Sequence, residues 1–423
     1  MGLVRSLDRV HKSLSEPRAP FIYRAELANH RFLERDEDAF VIASGKGFDP
    51  LSAKVSAMGE ALERYAASSW GEEAVLRGTR AELGCDTLDP DRLVLFTPDQ
   101  YPDLKYDAYT DSAQLGWVKM QALGSGQDCA VPALAVLMAY ETQGEEPFLF
   151  PITSNGLAAG PTLAKAVLNG AYEAVERDAF LATWLNRLPT LRIDPSDHPN
   201  PEVRKLVTSY ARRGVDLELY KLPTTCGVTV FLGVGVNHGP QDGPAAVVGL
   251  GADHDPATAA QAALIEICQV RPALRMRLHM EETQERMALL LADHAQVTEL
   301  EDHDLLYAHP SMLDSFTFLR NQAVERFDWT PAQQTSALGR LKILTSALQR
   351  ESTDLLYTNL TSADVAPFGV HVARVVIPDY QPMHFGLGER RLAAQRLYEL
   401  PQRLGLGAKT SAQTLNPLPH PLA

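Results

Sequence analysis

The chain has 423 residues, 45% of them apolar and 22% charged, which is typical of a protein with a packed globular core. Its formal net charge of −14 argues against broad electrostatic binding to nucleic acid or to an anionic membrane surface. The longest apolar runs are too short to cross a bilayer, and the N-terminus lacks the apolar core of a signal peptide. These features predict a cytoplasmic protein with no nucleic-acid or membrane partner.

Two common kinds of site are missing from the sequence. The cysteines are widely spaced and form no C-x-x-C pair, which argues against a zinc site and against a disulfide framework. No G-x-x-x-x-G-K-[ST] stretch occurs, so a Walker phosphate loop is excluded. A phosphate-binding site in this chain would have to be built from other elements.

Strand-like and helix-like segments alternate along the chain, which predicts a mixed α/β architecture with a sizeable sheet. Apolar and β-branched runs predict strands at 39–44, 130–140, 148–155, 215–222, 228–236, 245–252, 354–360 and 370–378. Helical periodicity predicts long helices at about 52–69, 162–185 and 257–277, and a polar, mostly helical stretch at 280–350. The residues after about 408 show no period and are rich in Ser, Thr and Pro.

The three long helices are related by a weak internal repeat. Each follows a Gly-rich turn that ends in Asp-Pro or Gly-Pro. Placing the segments in register aligns three sets of positions, namely Glu60/Glu173/Glu266, Glu63/Glu176/Gln269 and Arg64/Arg177/Val270. The third copy has its arginine one residue later, at Arg271. The repeat predicts one site built from three equivalent helices.

The second and third helices are apolar nearly all round, so they are expected to be largely buried. Buried carboxylates that converge repel one another unless cations bind them. Carboxylate and amide oxygens suit Mg²⁺, which typically bridges to phosphate oxygens, and Arg64 and Arg177 could meet the remaining phosphate charge. The alternative is that buried Glu–Arg pairs only hold the helices together. For the first helix alone, a solvated face is the simpler interpretation.

These residues resemble the ATP-binding motifs of the YcaO-domain family. S-x-x-x-E-x-x-E-R at Ser56–Arg64 is similar to the first motif, Asn169–Arg177 to the second and Glu266–Gln269 to the third. The stretch "VARVVIPDYQPMHFG" at 372–386 resembles the family's late strand and loop. The similarity covers about residues 40–390.

The resemblance implies a YcaO-type mixed α/β fold that binds ATP and Mg²⁺, with a β-sheet core and three site-forming helices. It implies that the magnesium ligands are Glu60, Glu63, Glu173 and Glu176. It further implies that the nucleotide or its metal is contacted by Ser56, Glu60, Glu63, Arg64, Asn169, Glu173, Glu176, Arg177, Glu266 and Gln269.

In the azoline-forming branch of the family, a Cys, Ser or Thr side chain of a ribosomally made precursor peptide attacks the preceding amide carbonyl. ATP then phosphorylates the carbonyl oxygen, and phosphate leaves. The resemblance therefore implies an ATP- and Mg²⁺-dependent peptide cyclodehydratase that forms azolines at Cys, with Ser and Thr left open. The alternatives are peptide thioamidation, a YcaO protein with another substrate, and a non-catalytic nucleotide-binding accessory subunit.

The chain ends in "NPLPHPLA", where Pro417, Pro419 and Pro421 form P-x-P-x-P. By composition this is a stiff polyproline II tail, a kind of segment that often binds proteins. It resembles the terminus that inserts toward the active site in azoline-forming YcaO proteins, so the three prolines and Ala423 are assigned to the catalytic region. Leu422 and Ala423 follow the last proline, which leaves the position of the terminal carboxylate open. The tail favours azoline formation over thioamidation.

The predicted organisation is an N-terminal segment at 1–40, a YcaO-like ATP-binding catalytic domain at 40–407 and a proline-rich tail at 408–423. Azoline-forming relatives often act with a protein that binds the leader of the precursor peptide. The YcaO-like region begins about forty residues from Met1, so the expected partner is a separate, ubiquitin-activating-enzyme-like protein. A flavin-dependent azoline dehydrogenase is an optional further partner, and a homodimer is left open.

Three weaker signals remain undecided. In "EDHDLLYAHP", the cluster of Asp302, His303, Asp304 and His309 favours a solvated turn over a metal site. His384 favours a core or surface position over the lining of a substrate channel. Arg374 is a charge on an apolar strand, which fits an edge strand as well as a group that points into the phosphate site.

Overall fold

The computed structural model describes residues 2–28, 42–239, 243–330 and 335–422. Within these ranges the strands are β1 (Val4–Arg9), β2 (Phe21–Leu27), β3 (Ile42–Gly47), β4 (Leu76–Gly78), β5 (Leu115–Ala122), β6 (Asp128–Pro132), β7 (Leu157–Gly160), β8 (Leu191–Ile193), β9 (Val215–Leu222), β10 (Thr229–Asn237), β11 (Ala246–Asp253), β12 (Val324–Glu325), β13 (Leu356–Asn359) and β14 (His371–Val376). The α-helices are α1 (Pro50–Ser68), α2 (Ala133–Val136), α3 (Leu163–Asn186), α4 (Pro201–Ala211), α5 (Pro256–Arg277), α6 (Glu281–Ala292), α7 (Leu300–Tyr307), α8 (Thr317–Arg320), α9 (Ala337–Arg350) and α10 (Gln395–Arg403).

The strands form three sheets, and each sheet carries one of the long helices. The first sheet has the order β1-β2-β3, and α1 packs on β2 and β3. The second has the order β4-β5-β13-β14-β7, with β6 paired to β5, and α3 packs on β14 and β7. The third has the order β11-β10-β9-β8-β12, and α5 packs on β11 and β10. The internal repeat of the sequence therefore corresponds to three sheet–helix units, and the mixed α/β prediction is confirmed.

The turns before the long helices contain the residues that start them. The side chains of Asp49 and Asp255 cap α1 and α5, and Pro50 and Pro256 occupy the first helical positions, where no N–H is needed. Thr162 caps α3 through its hydroxyl. These local signals explain why the three helices lie within two residues of the predicted ranges.

Glycines let each long helix approach its strand closely. A Cβ at Gly45, Gly160 or Gly251 would collide with the backbone of α1, α3 or α5, respectively. Only a residue without a side chain tolerates such an approach. The close packing places the polar stripe of each helix, the face that carries its aligned repeat residues, next to backbone N–H groups of the sheet.

Two predicted strands are wrong in whole or in part. The run at 130–140 leaves the strand at Pro132, which has no N–H for a ladder bond, and continues as the short helix α2. The run at 148–155 is irregular, although Leu149 and Phe150 are buried in the core. A short apolar run indicates burial and does not by itself select a strand. Part of the first predicted strand, 39–41, lies outside the described residues.

The largest core lies between α3, α5 and the third sheet, and it includes the fully buried side chains of Phe180 and Trp184. Because α3 packs against this core and against the second sheet, its polar stripe is largely buried. In the part of the chain that the structure describes, no helix is long and apolar enough to span a bilayer.

Candidate functional site

The first glutamate of each repeat makes the same hydrogen bond. One carboxylate oxygen, Oε2, accepts a backbone N–H from the strand beneath the helix or from the residue just before that strand. The pairs are Glu60 with Ser44 (3.0 Å), Glu173 with Gly156 (3.2 Å) and Glu266 with Leu250 (2.6 Å). The repeat therefore extends from the sequence to the hydrogen bonds of the site.

The other oxygen of each of these glutamates faces a cation. Glu60 Oε1 lies 2.8 Å from Arg64 and Glu173 Oε1 lies 3.6 Å from Arg177, each one turn further along the same helix. In the third copy the equivalent position is Val270, and the cation comes instead from Lys46 on β3, with Nζ 3.6 Å from Glu266 Oε1. Lys46 completes the pattern from another unit.

Lys46 is a site residue that the sequence analysis missed. Two signals pointed to it, namely the missing arginine at Val270 and a lysine in the Gly-rich turn before α1. Arg271, the apparent substitute, forms a buried ion pair with Glu16 of the N-terminal region instead. A shift of one residue turns a side chain by about 100° around a helix, which takes Arg271 away from the stripe.

Hydrogen bonds at two strand residues, Ala159 and Ser44, connect the polar stripes of the helices. The N–H of Ala159 in β7 donates to Glu63 Oε2 at 2.9 Å, and its carbonyl accepts from Asn169 Nδ2 at 3.1 Å. Ala159 thus joins the stripes of α1 and α3. In β3, the Ser44 hydroxyl accepts from Gln269, which joins the stripe of α5 to the strand that binds Glu60.

Burial and mutual repulsion raise the pKa values of the inner glutamates. The pKa of Glu63 lies well above its ordinary value because of burial and then because of the charges of Glu173 and Glu60. Burial raises the pKa of Glu176 to about 8. The charges of Glu266 and Glu173 also raise this pKa, whereas the charge of Arg177 lowers it. Burial also raises the pKa of Glu173. The carboxylates of all three helices therefore interact, and additional positive charge would favour their ionised forms.

The predicted alternative of Glu–Arg pairs that hold the helices together fits this geometry poorly. The arginine pairs join residues of one helix, Glu60 with Arg64 and Arg177 with both Glu173 and Glu176. Such pairs hold no two helices together. Glu173 and Glu176 keep 25% and 12% of their side-chain surface exposed, so the carboxylates are largely buried but still reached by solvent.

The donor set fits Mg²⁺ together with phosphate. Among the residues described here, no group of three Asp, Glu, His or Cys side chains is arranged to hold a metal ion by itself. Mg²⁺ is usually held by one or two carboxylates together with substrate phosphates and water, so a ready-made protein cage is not required. A bound cation would offset the burial and the mutual repulsion that raise the pKa values of Glu63, Glu173 and Glu176.

Most of the predicted nucleotide and metal residues are brought together by these contacts. Ser56 is the outlier, exposed on α1 one turn before Glu60. Which of these residues contact ATP and which ligate Mg²⁺ stays a prediction.

Arg374 belongs to the site region and not to a sheet edge. Its strand β14 lies between β13 and β7, so the edge-strand alternative is wrong. The side chain is 3% exposed, and its Nε and Nη2 donate to the carbonyls of Ala135 (2.9 Å) and Thr153 (2.7 Å). Burial lowers its pKa to about 10, against the favourable charges of Glu173 and Glu63.

The polar cluster in α7 is buried, so the predicted solvated turn is wrong. Asp302 forms an ion pair with Arg286 (2.6 Å), and Asp304 forms one with Arg277 (3.3 Å). His303 is fully buried. The sequence could not show this because both arginines lie outside the cluster, on α5 and α6.

His303 belongs to the groove that receives the C-terminal tail. Four tail carbonyls contact side chains of the domain, namely Asn416 with Arg390 (3.1 Å), Leu418 with Trp184 (3.3 Å), Pro419 with Tyr307 (2.7 Å) and His420 with His303 (2.6 Å). Pro419 and Pro421 are buried and Pro417 is exposed, whereas Ala423 lies outside the described residues.

The tail approaches the three-helix site along α3. The ring of His420 packs against Phe180, one turn beyond Arg177, and its Nε2 lies 3.1 Å from the carbonyl of His384. His384 is 1% exposed, so of the core and surface positions left open by the sequence it takes the core one. A catalytic role for the tail prolines stays a prediction.

Comparison with known proteins identifies relatives of the chain. The family profile described as YcaO cyclodehydratase, ATP- and Mg²⁺-binding, matches residues 44–381. An uncharacterised protein of Methanothermobacter thermautotrophicus is 29% identical over 344 residues, which are 81% of this chain and 82% of the relative.

Solved structures share the fold at low sequence identity. A heterocyclase in complex with substrate and cofactor has a TM-score of 0.81 and 24% identity, and it covers all of this chain, which spans only 55% of that longer protein. YcaO from Methanopyrus kandleri, bound with AMPPCP and Mg²⁺, has a TM-score of 0.63 and 21% identity over 89% of this chain and 86% of its own. The E. coli microcin synthetase McbBCD complex with pro-MccB17 bound contributes a chain with a TM-score of 0.60 and 14% identity, over 91% of each chain.

Proposed function

Because the chain belongs to the YcaO cyclodehydratase family, whose members bind ATP and Mg²⁺, we propose that it is a peptide cyclodehydratase. In this reaction a cysteine thiol of the substrate adds to the preceding amide carbonyl. The carbonyl oxygen takes the γ-phosphoryl group of ATP and leaves as phosphate, while the amide nitrogen loses its proton and forms the C=N bond. The net change is loss of one water from the peptide, with ATP converted to ADP and phosphate.

The observation that carries the proposal is the threefold glutamate arrangement. Glu60, Glu173 and Glu266 each present one oxygen to a strand N–H and the other to a cation. Phosphoryl transfer depends on positioning and on charge stabilisation more than on a covalent nucleophile of the enzyme. A cluster of carboxylates and cations on three packed helices provides both.

Each group of side chains has a distinct task in this scheme. Glu63, Glu173 and Glu176, with Glu60, would hold Mg²⁺, which when bound neutralises charge on the phosphates. With Glu60 and Glu173 shared with the metal, Arg64 and Arg177 would be free to meet phosphate oxygens, and Lys46 beside Glu266 would add a third cation. The backbone N–H groups of Ser44, Gly156 and Leu250 would keep the three carboxylates in place.

The substrate proposal is a ribosomally made precursor peptide delivered by a leader-binding protein. The structural relatives include a heterocyclase bound to its substrate and a microcin synthetase complex with a peptide precursor bound. The tail contacts support azoline formation, because the P-x-P-x-P segment lies in a groove that extends along α3 toward Arg177.

The proposal is tested by the mass of a precursor peptide. The chain is co-expressed with its neighbouring genes, including a short Cys-rich precursor, and the peptide is weighed with wild type and with Glu176→Gln. Loss of one water per modified residue with wild type alone is expected. A sulfur-for-oxygen exchange would assign thioamidation instead, and an unchanged mass despite ATP binding would assign an accessory subunit.

A further inference from the structure

A cavity of about 80 Å³ lies beside the three-helix site. Its walls are the irregular segment around Phe150, the end of β14 with Arg374, and the loop with Tyr380 and Gln381, and Arg177 of the site also lines it. The volume suits several water molecules or one small polar group. The cavity thus shares one side chain, Arg177, with the cluster proposed to bind phosphate and metal.

Two buried side chains that line this cavity are incompletely bonded. Within the described residues, Arg374 Nη1 has no hydrogen-bond partner, although its other nitrogens donate to carbonyls. Gln381 is 3% exposed, and its Oε1 also has no partner within those ranges. The amide orientation of Gln381 is fixed because its Nε2 donates to the carbonyl of Arg391 at 2.8 Å. One side chain with an unpaired donor and one with an unpaired acceptor therefore lie in the wall of the same cavity.

Unpaired groups of this kind are costly in the protein interior, so a ligand that pairs with them is favoured. Asn155, which also lines the cavity, has an unpaired Nδ2 among the described atoms and adds a second donor. The remaining lining is largely apolar, with Leu134 and Phe150 among its members. The ligand should therefore be small and polar at one point and apolar around it.

The unpaired atoms in the wall, an acceptor as well as donors, fit a neutral group that both donates and accepts. Arg177 is already paired with Glu173 and Glu176, and Arg391 donates to two backbone carbonyls. The free Gln381 oxygen would repel an anion. An amide offers one N–H donor for the Gln381 oxygen and one carbonyl, whose two lone pairs can accept from Arg374 and Asn155.

We propose that this cavity binds a backbone amide of the substrate peptide, with its carbonyl accepting from Arg374 and its N–H donating to Gln381. The assignment rests on the proposed function and adds the position of the substrate to it. It places the amide next to Arg177 and so next to the phosphate and metal ligands. A hydrogen bond from the Arg374 guanidinium also polarises the carbonyl toward attack.

The test compares an amide with its ester analogue. The probe is acetyl-glycyl-serine methylamide, and the analogue replaces the central N–H by an ester oxygen. Binding of each to the full chain saturated with Mg²⁺ and AMPPNP is measured by saturation-transfer NMR titration. Wild type should bind the amide about tenfold more tightly, because the ester leaves the Gln381 oxygen unpaired. Gln381→Leu should bind both compounds equally, and the exposed control Gln127→Leu should keep the tenfold preference.

The outcomes separate this inference from the proposed function. Wild type that fails to bind Mg²⁺ and AMPPNP would contradict the proposed function itself. Normal nucleotide binding without an amide preference in wild type, or with an undiminished preference in Gln381→Leu, would overturn the inference alone. Displacement of the amide by equimolar inorganic phosphate would also overturn it, because the cavity would then be an anion site.

Discussion

Lys46 offers a sharp test of the threefold arrangement, because it replaces the arginine that the third helix lacks. Lys46→Ala removes the cation that faces Glu266, and the double variant Lys46→Ala/Val270→Arg restores a cation at the position used in the other two repeats. If the site needs one cation per repeat, the first change should weaken ATP binding and the second should recover it.

The magnitude follows from the exposure of the ion pair and from its proposed ligand. Lys46 and Glu266 are 26% and 23% exposed and lie 3.6 Å apart, so the pair itself contributes about 0–1 kcal/mol to folding. A hydrogen bond to a charged group contributes about 1.5–3 kcal/mol. Loss of a phosphate contact should therefore reduce ATP affinity roughly 10- to 100-fold with little change in stability.

The assay is isothermal titration calorimetry of Mg²⁺·AMPPNP, with thermal unfolding measured in parallel. Lys342→Ala, which removes an exposed lysine on α9, is the matched control and should bind like wild type. Unchanged affinity in Lys46→Ala would refute the role of Lys46. A loss that Val270→Arg does not recover would refute the equivalence of the three repeats.

Three further changes test the site, the tail and the fold. The pKa of Glu176 is raised to about 8, so its ionised form is disfavoured below that pH. The affinity for Mg²⁺·AMPPNP should therefore rise between about pH 6 and 8, with release of a proton on binding. A calorimetric pH series should show a flatter rise for Glu176→Gln than for wild type. Tyr307→Phe leaves the buried carbonyl of Pro419 without its donor, which should lower the free energy of unfolding by about 1–3 kcal/mol and increase hydrogen exchange of the tail. The control Tyr357→Phe removes an exposed hydroxyl hydrogen bond and should change neither quantity. Gly251→Ala forces a Cβ into the backbone of α5 and should lower the yield of folded protein. In Gly388→Ala the new Cβ meets open space, so this control should fold normally. Thermal melts of both variants and of wild type make the comparison.

The sequence determined the features that depend on near neighbours. The caps at Asp49 and Asp255 and the prolines that follow them fix where two long helices begin, and the periodic apolar positions fix where they continue. The spacing of Glu60 and Arg64, and of Glu173 and Arg177, already implied ion pairs across one helical turn. The predicted stripes of the three helices are therefore found close to where the sequence placed them.

Tertiary structure alone decided which distant groups meet. The third cation comes from Lys46, and the pairing of Arg271 with Glu16 takes the nearer candidate away from the site. Neither choice is visible locally, because it depends on how β3 and the N-terminal region pack against α5.

The same reason explains the regions where the predictions were wrong. Asp302 and Asp304 of α7 are buried because arginines of α6 and α5 pair with them, and His303 between them is covered by the tail. The apolar run at 148–155 buries Leu149 and Phe150 without pairing in a sheet, and the Thr153 carbonyl accepts from Arg374 instead of from a strand. Burial of a polar group, and the partner of a backbone carbonyl, depend on segments far away in the sequence, so only the folded chain determines them.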